Sequence, residues 1–188
     1  MSSLKRLGID EISLRKGQGD YIVVLVDLDQ RVPLGFAPSR KQADIRKVLE
    51  GWGESALHQI IEVSIDMSGN YKGLVHKLLP NAQVVADRFH VMKLVNQDLD
   101  AARKALHKAN QEHTDEVEKS RTEAVLKQSK YVLLKPEEKL TEKQKVKLEE
   151  IREVLPSLAQ MHQQKEAFRA IFEQAEDWND GTFQLLDW

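Results

Sequence analysis

The chain has 188 residues, of which 41% are hydrophobic and 31% charged, with a formal net charge of −2 and no cysteine. This composition is ordinary for a globular protein, and the lack of cysteine excludes disulfides and thiolate zinc sites. No apolar run approaches the ~20 residues of a membrane-spanning helix, and residues 1–6 lack the apolar core of a signal peptide. We therefore expect a cytoplasmic protein with no membrane partner, and a segment too weakly charged to supply DNA affinity by itself.

The first half of the chain consists of β-branched runs separated by turn residues. Five strands are predicted, over residues 6–14, 21–28, 31–37, 59–66 and 83–87. Pro33 removes a ladder donor and therefore places the third strand at the sheet edge. Two helices are predicted between the strands, over about 40–57, capped by Ser39, and over about 69–79.

After Phe89 the apolar positions recur at helical spacing, and no further strand is expected. The pattern predicts a long amphipathic helix over 90–130, a further helix capped by Thr141, and a last helix over about 157–177 that is followed by Asn179, Asp180 and Gly181. The expected organisation is a core over residues 1–100 and a helical region over residues 101–188.

The order β-β-β-α-β-α-β-α determines how the strands pair. Strands joined by short turns form an antiparallel meander, whereas a strand that returns through a helix lies parallel to its neighbour. The predicted fold class is therefore α/β, with a five-stranded mixed sheet in spatial order 3-2-1-4-5 followed by an all-helical segment. This arrangement resembles the core of ribonuclease H.

Asp10 and Asp66 each follow an apolar run, at positions where a carboxylate is costly to bury unless it is paired or binds a metal. The predicted sheet brings both to one end, where open α/β sheets bind ligands. Because oxygen ligands suit Mg²⁺, we predict a shared cation site with carboxylates ~4–8 Å apart. The alternative for each residue alone is an Asp that caps the next helix or begins a turn.

Several segments resemble the DDE transposases of bacterial insertion sequences, most closely the group typed by ISL-three elements. The matching segments are residues 7–13 (LGIDEIS), 63–71 (VSIDMSGNY), 79–82 (LPNA) and 85–93 (VADRFHVMK). The resemblance implies a ribonuclease H-like core over 1–100, a helical insertion over 101–188, and metal-dependent DNA strand transfer at the terminal repeats of an insertion sequence. It implies Asp10 and Asp66 as catalytic, metal-binding residues, with Mg²⁺ or Mn²⁺ as cofactor and DNA as partner of the full-length protein. A homo-oligomer is left open.

The chain departs from the family pattern in two respects. The family's third acid is a Glu after the helical insertion, and no such motif occurs here; the zinc-binding region that precedes the family's core is also missing. We therefore expect an incomplete insertion, weak Mg²⁺ or Mn²⁺ binding, and no useful cleavage of DNA by this chain alone. Glu166, Glu173 and Glu176 lack the motif and are expected on a solvated helix face.

Asp87, Arg88 and His90 are possible accessory residues beside the acid pair. Asp87 could orient metal, phosphate or water, but its distance from the first strand favours a cap on the following helix. His90 could assist proton movement, although a His at a helix start is more often a packing residue. Strand alternation turns Glu11 to the face opposite Asp10, so a ligand role is not favoured there.

Two other functional classes stay open at this stage. One is a ribonuclease H-like nuclease or resolvase, which would cut DNA without joining it. The other is a non-catalytic binding or oligomerisation remnant of a truncated transposase. The downstream gene sequence would separate them, because a continuing frame with a Glu-containing motif favours the transposase and a stop after Trp188 favours the remnant.

Overall fold

The computed structural model describes residues 3–13, 21–66, 71–176 and 178–187. The chain divides into two compact units, Met1–Val91 and Met92–Trp188. The first unit is an α/β sheet domain and the second is helical. The functional boundary predicted at residue 100 stays a prediction.

The first unit contains a five-stranded sheet in the order β3-β2-β1-β4-β5, which confirms the predicted fold class and strand order. Its strands are β1 Arg6–Ser13, β2 Tyr21–Asp27, β3 Val32–Ala37, β4 Glu62–Ile65 and β5 Gln83–Ala86. The meander β1-β2-β3 is antiparallel, β4 runs parallel to β1, and β5 runs parallel to β4. Pro33 lies on the edge strand as predicted, next to a register shift between Leu25 and Val26 of β2.

One face of the sheet carries the core of this unit. Alternate residues of the strands are fully or almost fully buried there, including Leu7, Ile9, Val23, Leu25, Val63 and Ile65. Burying each such side chain contributes about 1.5–3 kcal/mol relative to leaving it exposed. This packing sets the strand register, because a slip by one residue would turn the whole apolar set to the other face.

The helices of the first unit differ from the sequence prediction. The single helix expected over 40–57 is two helices, α1 Gln42–Glu50 and α2 Glu54–His58. The break follows from Gly53, whose φ of 85° lies in the left-handed region that favours glycine. The helix expected over 69–79 is α3 Lys72–Leu78.

Ser39 does not cap α1 in the predicted manner, because the helix begins at Gln42 and its N-cap residue is Lys41. The Ser39 hydroxyl oxygen instead accepts the Lys41 backbone N–H, and the hydroxyl donates to the carboxylate of Asp44 in the first turn. The Ser39 hydroxyl therefore stabilises the segment that leads into α1, although Ser39 is not the N-cap residue.

The remaining helices follow the sheet. They are α4 Arg88–Gln111, α5 Glu116–Leu126, α6 Ser129–Leu134, α7 Glu142–Val154, α8 Pro156–Gln174 and α9 Trp178–Asp187, with a short 3₁₀ turn at Glu137–Lys139. The helix predicted over 90–130 is interrupted between α4 and α5, where Asp115 accepts the N–H groups of Val117 and Glu118 and so caps α5. The Thr141 cap is confirmed, with Gln144 completing a capping box.

The end of the chain also differs from the prediction. The helix expected over 157–177 is α8, which ends at Gln174. Asn179, Asp180 and Gly181, expected to follow the last helix, lie inside α9. The Asp180 carboxylate, in the first turn of α9, accepts the backbone N–H of Glu176, which precedes the helix. This contact satisfies a backbone donor at the start of α9.

Candidate functional site

Asp10 and Asp66 lie side by side at one end of the parallel β1–β4 ladder. The last paired residues of that ladder are Ile9 and Ile65, and each aspartate is the next residue of its strand or just beyond it. Neighbouring strands are about 4.8 Å apart, so the register places the two backbones next to each other. The roles of these two residues as metal ligands stay a prediction.

The two aspartates differ in their surroundings. Asp10 is exposed, and its Oδ1 accepts the backbone N–H of Glu11 at 2.7 Å. Asp66 is partly buried at the end of the central parallel strand. Two adjacent carboxylates repel each other when both are ionised, and a bound cation relieves that repulsion.

Asp87 occupies the corresponding position one strand further out. It follows Ala86, the partner of Ile65 in the β4–β5 ladder, and its backbone N–H donates to the Ile65 carbonyl at 2.7 Å. Its Oδ1 accepts the N–H of Phe89 at 2.6 Å, so Asp87 caps α4, in line with the interpretation that the sequence favoured.

His90 and Arg88 belong to the first turn of α4. The His90 Nδ1 lies 3.8 Å from the Asp87 Oδ2, which is beyond hydrogen-bonding distance. Within the described part of the chain, this buried nitrogen has no hydrogen-bond partner. Both residues stand at the same sheet end as the acid pair, on the strand β5 side.

A hydrogen-bond network that the sequence analysis did not anticipate lies beneath Asp10. The Tyr71 hydroxyl donates to the Glu11 carboxylate, and the Glu11 Oε2 also contacts the Arg40 guanidinium at 3.4 Å. Arg40 in turn stacks on the Tyr21 ring, 4.3 Å from its centroid. Glu11 continues the core-facing series of Leu7 and Ile9, and a carboxylate there requires a donor. The core-facing position of Glu11 could be predicted from strand alternation, but the residue that donates to it could not.

The Tyr71 side chain is fully buried. Burial raises the pKa of its hydroxyl above the ordinary tyrosine value, and the hydrogen bond to Glu11 acts in the same direction, as do the negative charges of Glu11 and Asp66. The hydroxyl therefore stays protonated at neutral pH and serves as a donor.

The three glutamates near the carboxyl end take different positions. Glu173 and Glu176 are exposed, as expected, and Glu173 pairs with Arg169 at 2.7 Å. The expectation of a solvated face is wrong for Glu166, whose side chain is only 14% exposed and pairs with Lys165 and Arg169. A carboxylate held by two cations is poorly suited to bind a third, so Glu166 is not a metal ligand on this geometry.

In the described ranges, no group of three or more His, Asp or Glu side chains is arranged to hold a metal ion. Two neighbouring carboxylates nevertheless fit a hard cation such as Mg²⁺, which retains several waters. No helix among the described residues is long and apolar enough to cross a membrane.

Comparison with known proteins gives consistent matches. The family model DDE_Tnp_ISL3, described as a transposase, matches residues 7–188. The transposase for insertion sequence element IS1001 of Bordetella parapertussis is 31% identical over 151 residues, covering 80% of this chain and 36% of that protein. The transposase for IS1557 of Mycobacterium tuberculosis is 29% identical over 203 residues, covering 100% of this chain and 46% of that protein. The chain thus spans less than half the length of these curated relatives.

Proposed function

The chain belongs to the DDE transposase family of the ISL3 type, and from that premise we propose that it forms part of a catalytic core for DNA cleavage and joining at insertion-sequence ends. The observation that supports this most directly is the register of β1 and β4, which continues into Asp10 and Asp66. Two unrelated segments of sequence bring one acid each to the same end of the sheet.

In this proposal, Asp10 and Asp66 bind the divalent cations on which the chemistry depends. Mg²⁺ or Mn²⁺ held by these two residues would supply Lewis-acid chemistry for activating a water or 3′-hydroxyl and for stabilising a leaving oxygen. The parallel ladder keeps the two carboxylates on adjacent strands, and the buried Ile9 and Ile65 fix the strands that carry them. No residue among those described is proposed as the third acid.

Asp87, Arg88 and His90 are proposed as accessory residues on the β5 side of this site. The Asp87 carboxylate fixes the first turn of α4 and thereby the positions of Arg88 and His90. A cationic Arg88 at the sheet end is suited to contact a DNA phosphate. His90, whose Nδ1 lies 3.8 Å from the Asp87 Oδ2, is a candidate for assisting proton movement beside the acids.

The DNA partner is proposed for the longer protein rather than for these 188 residues alone. DNA affinity follows the number of phosphates that a protein neutralises, and this chain has a net charge of −2. Because the proposed substrate is DNA, the proposed location of the longer protein is the bacterial cytoplasm. The homo-oligomer left open by the sequence is a proposal of the same kind.

The test uses a protein of the relatives' full length that carries this core, assayed for nicking and strand joining on terminal-repeat DNA with Mg²⁺. Asp10→Asn and Asp66→Asn should each reduce cleavage by about 10³-fold or more, because each removes a charged ligand. Asp98→Asn, at an exposed position of α4, is the matched control and should keep full activity. The 188-residue chain alone should not nick DNA at a useful rate.

The outcomes separate the alternatives. Cleavage without joining would favour a nuclease or resolvase over a transposase. Metal-dependent cleavage that survives both aspartate substitutions would contradict the assignment of the site. Robust nicking by the 188-residue chain, abolished by Asp66→Asn, would show that the third ligand lies within it, and Asp87 would be the first residue to substitute.

A further inference from the structure

One hydrogen bond joins the two acid-bearing segments of the sheet. The Tyr71 hydroxyl donates to the Glu11 carboxylate across a sequence separation of 60 residues. Glu11 directly follows Asp10, and Tyr71 stands between Asp66 and the start of α3. The bond therefore connects the stretch of chain that carries one acid to the stretch that carries the other.

Both ends of this connection are held in place. The Tyr71 ring is 0% exposed and packs in the core of the first unit together with Ile9 and Leu74. At the other end, Arg40 contacts the second oxygen of Glu11 while it stacks on Tyr21. An anchored aromatic ring and an anchored guanidinium leave the Glu11 carboxylate little freedom to rotate.

The network also reaches Asp10 through the backbone. The N–H of Glu11 donates to the Asp10 Oδ1 at 2.7 Å, so the same residue binds Tyr71 with its side chain and Asp10 with its main chain. A displacement of Glu11 would therefore move the Asp10 carboxylate relative to β4. Groups that orient metal ligands in this way commonly affect metal affinity by about 10–100-fold.

We propose that Tyr71, Glu11 and Arg40 are positioning residues that hold the Asp10 and Asp66 carboxylates at the separation a divalent cation requires. This inference rests on the proposed metal site and adds to it three residues that touch no metal themselves. The competing explanation is that the network only stabilises the core around a buried tyrosine. The two explanations differ in what they predict for metal affinity at constant folding.

The experiment measures Mn²⁺ affinity of the 188-residue chain by electron paramagnetic resonance, with the melting temperature recorded for every variant. Tyr71→Phe removes one hydroxyl and no charge, and its Mn²⁺ affinity should fall about 10-fold. Tyr131→Phe, at a side chain on α6 that is 72% exposed, is the matched control and should bind as the wild type does.

Arg40→Gln provides a second test in which the competing effects have opposite signs. Removing a positive charge near a cation site should strengthen Mn²⁺ binding through electrostatics alone. Loss of the contact to Glu11 should instead weaken it, by about 3-fold if Arg40 holds that carboxylate in place. The Arg40 side chain is 50% exposed, so this variant tests the proposal even where Tyr71→Phe does not fold.

Asp66→Asn serves as the reference that separates the two proposals. Loss of Mn²⁺ binding in Asp66→Asn, together with weaker binding in folded Tyr71→Phe and in Arg40→Gln, supports positioning. If Asp66→Asn alone loses Mn²⁺ binding, the metal site is supported but the positioning proposal can still fail. Wild-type Mn²⁺ affinity in folded Tyr71→Phe overturns positioning. Wild-type or tighter Mn²⁺ binding in Arg40→Gln overturns it as well. Unchanged binding in Asp66→Asn overturns both, since no site would remain to be positioned.

Discussion

In the helical second unit the carboxylate of Glu166 is enclosed by its own partners, whereas Asp10 in the sheet unit faces solvent beside a second acid. Glu166 contacts Lys165 at 2.5 Å and Arg169 at 2.8 Å, and it accepts the N–H of Glu137 at 3.2 Å. Asp10 accepts the neighbouring N–H of Glu11 and lies next to Asp66 across the ladder. Both arrangements concentrate negative charge, but Glu166 is largely buried against two cations, whereas Asp10 is exposed.

This difference distinguishes a charge cluster that stabilises the fold from a candidate cation-binding site. Burial alone would raise the pKa of Glu166, but hydrogen bonds from Lys165 and Arg169 outweigh burial and hold that pKa below its usual range. The Glu166 carboxylate therefore has a structural role in the second unit. Asp10 is instead exposed beside a second acid at adjacent strand ends, where a hard cation could reach it from solvent.

The largest expected effect is on the stability of the second unit. Lys165 is 2% exposed, and its Nζ donates to the carbonyls of Leu133 and Lys135 besides pairing with Glu166. Lys165→Met should lower the free energy of unfolding by about 3–5 kcal/mol, because it leaves two carbonyls without their donor and removes one of the two cations that pair with Glu166. Urea denaturation measures this. Lys145→Met, at an exposed ion pair, should change it by less than about 1 kcal/mol, and a similar loss in both variants would contradict the distinction.

The next effect is the pH dependence of the same unit. His162 is 1% exposed, and burial lowers the pKa of its imidazole to about 4. The unfolded chain protonates this residue near pH 6.5 and the folded chain only near 4, so stability is lost as pH falls between these values. The loss should total about 3 kcal/mol from this group, from the pKa difference at 1.36 kcal/mol per unit.

Unfolding free energies at pH 7 and pH 4 measure that loss. His162→Leu should remove most of the slope that His162 contributes, whereas His107→Leu, at an exposed position of α4, should leave it intact. An unchanged slope in His162→Leu would show that the buried imidazole is not the group responsible.

The smallest stability effect is expected at the acid pair. Asp10→Asn should change the free energy of unfolding by less than about 0.5 kcal/mol, because Asp10 is exposed and its removal also relieves repulsion with Asp66. Thermal melting without added metal measures it. A large loss of stability would indicate that Asp10 serves the fold in the way that Glu166 does.

Pattern reasoning from the sequence gives the sheet because its signals are local and repeated. Short β-branched runs between turn residues identify all five strands, and the crossover rules convert their order into 3-2-1-4-5. Helix boundaries are less accessible, since Gly53 and Asp115 terminate or begin helices within patterns that read as continuous. Helix propensity is a weak indicator, so it does not show that a helix ends at such a residue when the apolar periodicity continues past it.

The network around the candidate site was less predictable than the acids themselves. Asp10 and Asp66 are conspicuous because each interrupts an apolar run. The partnership of Glu11 with Tyr71 depends on tertiary packing across the sheet, and no spacing rule connects two such positions. The same holds for Glu166, whose burial follows from the packing of Lys165 beneath α6 rather than from its own helix pattern.

The most direct test of the shared site is Mn²⁺-induced line broadening in the NMR spectrum of this chain. A single bound ion should broaden the amide signals of residues 9–11 and 64–66 together at substoichiometric Mn²⁺, and Asp10→Asn/Asp66→Asn should abolish the effect. Broadening of only one of the two strand ends, or broadening that persists in the double variant, would contradict a metal site shared by Asp10 and Asp66.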